Sequence, residues 1–190
     1  MKRLKLIVAL LLSMSAIGQD DLVTARMTDY QVLYKGYPNK VIFSTNETPL
    51  CAECDTVYST GELNEYIIKP GKGLFMKVNF SNGSEVSFKV SNLPNPTLIL
   101  GGAMNGHKAS LTSYHLFAKY RPEINLWASF EVLSWTLSVG GVNFEGEGMK
   151  LSKEARAHLE SLKSNGYISI IAIVRGPDGI KRFLGGAFSY

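Results

Sequence analysis

Cysteine is nearly absent from this 190-residue chain, with Cys51 and Cys54 the only two. A single close pair excludes a disulfide-dense scaffold. Proline is sparse, at 7 residues, and charged residues make up only 19% against 45% hydrophobic ones. That balance excludes a disordered or low-complexity chain. A surplus of one charge is lacking too. Lys and Arg number 20 against 16 Asp and Glu, but Lys2, Arg3 and Lys5 open the chain. Without those three the surplus is +1, and a surface so near neutral lacks the dense cation array that nucleic-acid binding requires.

Catalytic patterns are also missing. The sequence holds no G-x-S-x-G, no H-E-x-x-H and no calcium-loop spacing. Gly101 and Gly106 match the glycines of a phosphate loop, yet His107 stands where lysine is needed and Ala109 follows Lys108, leaving no hydroxyl for a metal. His107, His115 and His158 show no ligand spacing. Glu145 and Glu147 flank Gly146 in what reads as a solvated turn between a strand and a helix. Glycosidase carboxylates normally come from separate rigid elements around a cleft. No cofactor, no metal and no enzymatic activity are expected.

The one long apolar run lies at the start. Met1 to Lys5 is basic, Leu6 to Ile17 is apolar, and Ala16-Ile17-Gly18 offers small residues for cleavage. The run falls short of the ~20 residues that span a bilayer, so residues 1–18 read as a cleaved export signal. No Cys stands at Gln19 to carry a lipid, and no later segment is apolar enough to cross a membrane. Export permits a disulfide. Thr48-Pro49-Leu50 before Cys51 and the strand-like Asp55-Thr56-Val57-Tyr58 after Cys54 offer no helix N-terminus to stabilise a thiolate. A local Cys51–Cys54 disulfide is the first reading; free thiols and a redox pair are the alternatives.

Thereafter the chain reads mainly as strand. Tyr30–Leu33, Lys40–Thr45, Thr56–Ser59, Glu65–Lys69, Leu74–Phe80 and Glu85–Val90 are short runs rich in β-formers. Asn82-Gly83 between the last two is a strong hairpin signal. Val86, Phe88 and Val90 then share one face. Leu93-Pro94-Asn95-Pro96 interrupts the pattern and divides the charge. Residues 19–92 carry 7 basic against 9 acidic groups, and residues 93–190 carry 10 against 7. In the second part, Phe130–Val139 is a long alternating strand with Glu131, Leu133, Trp135, Leu137 and Val139 on one face. Ser152 caps a helix over about 152–164 in which Ala155, Leu159 and Leu162 recur, ended by Asn165-Gly166. A short helix is a candidate near 110–117. Tyr167–Arg175, the turn Gly176-Pro177-Asp178-Gly179 and Ile180–Tyr190 form a terminal pair. Trp127, Trp135, Phe130 and Phe144 are expected in the core. The expected architecture is mainly β, with two immunoglobulin-like β-sandwich domains (19–92 and 93–190), the second carrying the helix.

Several of these segments resemble the C-terminal periplasmic domains of the GldM/PorM family of gliding motility and type IX secretion. They are Val32-Leu33-Tyr34-Lys35-Gly36 with Asn39, Phe88-Lys89-Val90 leading into Leu93-Pro94-Asn95-Pro96 and Gly101-Gly102, Leu126–Leu137, and Gly176-Pro177-Asp178-Gly179 with Arg182 and Leu184. The resemblance implies a periplasmic, non-enzymatic part of the shaft of that machinery in Bacteroidota. Such parts are dimers of immunoglobulin-like domains that contact a ring of partner proteins. The family's N-terminal transmembrane helix is not matched, and no compact binding motif transfers.

The function expected is therefore protein–protein interaction, with type IX secretion or gliding components as candidate partners and a homodimer as a candidate assembly. Exposed strand edges, or the turn with Arg175, Asp178, Lys181 and Arg182, are the candidate contacts. A carbohydrate-binding sandwich is the alternative, and it requires Trp127 or Trp135 on an exposed face. A type IX cargo with a sorting domain opening at Leu93 fits less well with the helix after Ser152. Asp55-Thr56-Val57 resembles a short O-glycosylation acceptor of that phylum, centred on Thr56.

Overall fold

A computed structural model describes residues 23–27, 32–110, 113–162 and 166–190. The export signal (1–18), Tyr30 at the start of the first expected strand, and Asn165 of the expected helix cap lie outside the described residues. The first part contains β1 (Ala25–Met27), β2 (Leu33–Tyr34), β3 (Asn39–Phe43), β4 (Cys54–Ser59), β5 (Glu65–Pro70), β6 (Phe75–Asn79) and β7 (Glu85–Ser91). The second contains β8 (Thr97–Leu100), β9 (Ala103–Met104), β10 (Leu116–Lys119), β11 (Glu131–Val139), β12 (Val142–Glu147), α1 (Lys153–Ser161), β13 (Tyr167–Arg175) and β14 (Lys181–Ser189). Among the described residues the protein is mainly β, with four sheets and one short helix.

In the first part an antiparallel sheet in the order β1-β3-β5-β4 lies with a sheet ordered β2-β7-β6. Val41 and Phe43 of one and Met76, Val78, Phe88 and Val90 of the other meet in a single buried cluster. Phe43 is its centre, edge-on to Phe80 at 5.1 Å and near Tyr66 and Phe88. The β6–β7 hairpin follows the sequence closely. Gly83 takes a positive φ of 82°, Phe80 N–H donates to Ser84 O, and Val78 pairs with Val86. Phe88 and Val90 are buried while Glu85, Ser87 and Lys89 are exposed, the alternation that a half-buried strand produces.

The second part packs the sheet β10-β8-β9 and the helix α1 against the sheet β12-β11-β13-β14. Ile168, Ile170, Ala172 and Val174 of β13 are fully buried on the inner face. Ser152 caps α1 as expected, its Oγ accepting from Ala155 N–H at 3.2 Å, and Ala155 and Leu159 are buried. The helix ends at Ser161 with Leu162 extended. On its other side Tyr114 O–H donates to Glu160 at 2.7 Å, and burial together with that carboxylate pushes the phenol up to about 12.

Four expectations change. The candidate helix near 110–117 gives way to β10: Leu116 N–H donates to Met149 O and Leu116–Lys119 pairs with β8, while residues 111 and 112 lie outside the described residues. Glu145 and Glu147 do not sit in a turn. They lie on β12, the return arm of a hairpin whose two-residue loop is Gly140-Gly141, both at positive φ. The alternation of β11 breaks where its pairing with β13 shifts between Val132 and Ser134. That extra residue buries Val132 with Trp135, instead of leaving it opposite. Finally, Trp127 is not core: it is 89% exposed, whereas Trp135 is 2% exposed and Phe130 and Phe144 pack at the core's margin.

Trp135 needs Gly146. The two are paired across β11 and β12, and a Cβ at Gly146 would run into the indole ring. Gly146→Val is therefore expected to destabilise the fold by about 1–3 kcal/mol through overpacking. Urea denaturation of both proteins should show it as a lowered midpoint with an unchanged slope, and an unchanged midpoint would show that the indole moves aside freely.

Candidate interaction surfaces

The terminal turn is drawn inward. Asp178 and Arg182 stand four residues apart across it, with side chains 0% and 5% exposed. Arg182 Nη1 donates to Asp178 Oδ1 at 3.0 Å, and Arg182 Nη2 donates to Leu93 O at 2.7 Å. Leu93 N–H donates to Asp178 Oδ2 at 3.1 Å. One ion pair thus takes up both backbone groups of Leu93, the first residue of the proline-rich boundary. Phe130 covers the guanidinium, its ring centre 5.5 Å away, and Tyr120 meets Phe130 edge-on and bonds Pro94 O. Burial raises the Asp178 pKa, but the Arg182 hydrogen bond, the Ile180 and Leu93 N–H groups and the guanidinium charge outweigh it, so the net shift is downward.

The same junction receives a loop from the first part. Asn39 is buried, accepts from Tyr34 N–H at 2.7 Å and turns its amide toward Tyr34 O, Tyr37 O and Ile68 O. This holds the 34–39 turn so that Gly36, at φ 65°, lies flush on the Pro177 carbonyl, where a Cβ would clash. Tyr37, Leu93 and Leu126 form the small buried cluster between them.

The expected basic contact cluster is consequently split. Arg182 faces inward because β14 alternates: Arg182, Leu184 and Phe188 are buried, and Lys181 and Phe183 are exposed. Arg175 and Lys181 remain outside, directly opposite each other, but Arg175 is engaged by Glu131 at 2.6 Å. Of the four residues assigned to that turn, Lys181 alone presents an exposed cation without an ion pair among the described residues.

The outer face of the β12-β11-β13-β14 sheet is the first exposed surface of note. Register places Glu147, Ser134, Ile173 and Phe183 in one row across it, and Glu145, Thr136, Ile171 and Gly185 in the next. Phe183 is 75% exposed, Ile171 59% and, further along β13, Tyr167 79%. A shallow groove runs between these apolar groups and the two glutamates. Sequence reasoning missed this face because β12 was not recognised; Gly140-Gly141 was the available signal.

A second surface surrounds Trp127. The 117–130 segment forms an open hollow lined by Lys119, Tyr120, Arg121, Asn125 and Trp127. Leu126 anchors it inward, and Trp127 N–H donates to the Tyr37 hydroxyl at 3.2 Å. The indole outside is thus carried on a fixed backbone.

Elsewhere, a disulfide joins Cys51 to Cys54, and Cys54 Sγ lies 3.2 Å from Met76 Sδ. Thr56 is exposed on β4, an edge strand, beside a register shift. His158 packs on Phe144 and His115 stacks on Phe117, apart from each other. Among the described residues no three His, Cys, Asp or Glu side chains are grouped to hold a metal, and no helix is long and apolar enough to cross a membrane. The chain matches no protein-family model and no curated protein.

Asp178→Asn should cost about 3–5 kcal/mol, because it leaves Arg182 buried without its counter-charge. The folded Asp178 carboxyl titrates below its ordinary 3.8, so its contribution is complete above that value and is lost as pH falls through the folded pKa. Wild-type stability should therefore drop below about pH 4, and Asp178→Asn should flatten that limb. Denaturant titrations at a series of pH values provide the measurement.

Proposed function

We propose that this protein is an exported, non-enzymatic interaction module that docks on protein partners through the outer face of the β12-β11-β13-β14 sheet. The observation that carries it is the grouping of exposed Phe183 of β14 and Ile171 of β13 on one face of the sheet, beside Glu145 and Glu147. Large apolar side chains grouped on a flat face and rimmed by charge have the composition of a protein interface. The chain organisation under this proposal is two immunoglobulin-like sandwiches, 19–92 and 93–190. The resemblance to GldM/PorM C-terminal domains supports a periplasmic place near gliding or type IX secretion components, with a homodimer as a candidate assembly.

Carbohydrate binding is the second reading, favoured by Trp127, whose indole is exposed on a fixed backbone beside Asn125 and Arg121. A flat aromatic face with neighbouring polar groups suits a sugar ring.

Co-purification from native cells after mild cross-linking tests the first reading. A discrete protein partner should be recovered with wild type and reduced at least tenfold with Ile171→Lys/Phe183→Lys, provided the variant keeps the wild-type unfolding midpoint. Equal recovery would overturn the sheet-face assignment, and a partner unrelated to secretion or gliding would remove the family part. Trp127 emission on titration with soluble polysaccharides tests the second. A saturable change lost in Trp127→Ala supports sugar binding, and a flat response rejects it.

A further inference from the structure

We propose that the free edge of β14 between Lys181 and Gly185 takes up an extended segment of a partner polypeptide as an additional strand of its sheet. This inference rests on the protein-binding reading above and specifies its mode. Pairing between β13 and β14 is uninterrupted from Tyr167↔Ser189 to Arg175↔Lys181, so successive residues of β14 point their backbone groups alternately toward β13 and away from it. Bonds at both ends fix which residues do which. Ser189 N–H donates to His107 O, Ala109 N–H to Ser189 O and Gly106 N–H to Ala187 O, while Ala187 N–H reaches Asn105 Oδ1 at 2.8 Å. Ser189 and Ala187 therefore face away from β13. At the turn, Gly176 N–H donates to Ile180 O, so Ile180 faces toward it. Lys181, Phe183 and Gly185 must then turn their N–H and C=O groups outward, and among the described residues none of these groups has a partner.

The chain itself demonstrates the mode. Its 105–109 segment runs parallel along the far end of this edge, bridging Lys108 to Ser189, and stops short of Gly185. Gly185 is exposed and has no side chain, so its exposure is that of its backbone. The opposite edge of the sheet carries Glu145 and Glu147, charges of the kind that keep an edge strand unpaired. On its exposed side this stretch of β14 carries one such charge, Lys181, next to the apolar Phe183, while Arg182 points inward.

The occupant that fits is a short extended peptide from another protein. A second copy of this chain fits poorly. In an antiparallel self-pair centred on Leu184, the other copy's 179–181 stretch would have to lie along each copy's 187–189 stretch, a place its own 105–109 segment already occupies. The incoming strand would set apolar side chains beside Phe183 and Ile171 and a carboxylate near Lys181. Affinity would come from main-chain hydrogen bonds and specificity from those alternate side chains.

Amide hydrogen exchange of the full chain, followed by NMR, tests this with an acetylated, amidated heptapeptide Thr-Val-Thr-Val-Glu-Val-Thr at millimolar concentration. Exchange at Phe183 and Gly185 should slow at least tenfold on addition, while Leu184, already paired to β13, should not change. The same peptide N-methylated at alternate residues should have no effect, and Gly185→Pro should abolish the response. Equal exchange with and without peptide, or protection of both amides before it is added, overturns the proposal. A partner lost from Ile171→Lys/Phe183→Lys but retained by Gly185→Pro would reject strand addition and leave the protein-binding reading intact.

Discussion

The arrangement depends on one buried ion pair that grips a single residue from both sides. Leu93 starts the stretch in which Pro94 and Pro96 forgo backbone donors, and its own N–H and C=O are held by Asp178 and Arg182. Two charges withdrawn from water cost more than their mutual attraction returns unless every remaining hydrogen-bonding position is filled. Here the backbone of Leu93, Ile180 O and Ile180 N–H fill those positions. The pair therefore fixes position more than it adds stability. It converts what composition alone would suggest is a loose connector into a defined junction, and it seats Gly36 and Tyr37 against the last turn.

Much of the backbone was legible because local chemistry and tertiary packing agreed there. Asn82-Gly83 and Ser152 each place a specific unpaired backbone group, and each feature appears where those residues demand it. What escaped was decided by distant partners. Nothing near Leu116 distinguishes a capped helix from a strand until Met149 supplies a carbonyl. The bulge after Val132 reverses inside and outside for the first two residues of a strand whose own pattern alternates cleanly. Arg182 was misplaced for a simpler reason. A cation within an alternating strand, beside Leu184 and Phe188, follows the strand's period inward if an anion four residues earlier can accompany it, and Asp178 does. Trp127 failed in the opposite sense: size and hydrophobicity argue for the core, but the adjacent Leu126 takes the inward position and the Tyr37 hydroxyl holds the chain so that Trp127 faces out.

The two faces of the β12-β11-β13-β14 sheet show how one alternation serves two purposes. Inward, β13 supplies only Ile, Ala and Val, all fully buried. Outward, the same strand supplies Tyr167, Ile171 and Ile173, where solubility alone would favour polar groups, as Ser134, Thr136 and Ser138 provide on β11. The apolar half of that face coincides with the half of the sheet bordered by β14, and the acidic half with β12. Under the proposed docking, such a division would give a partner a direction as well as a surface.

The position of Arg182 in the chain also constrains biogenesis. Residues 23–91 contain every strand of the first core, so that unit has all its material while the rest of the polypeptide is still being synthesised. The second cluster cannot close, nor can the junction lock, until β14 has left the ribosome, because Arg182, Leu184 and Phe188 all reside in it. Closure of the junction is thereby tied to the arrival of β14, after every strand that lines the first cluster has been made.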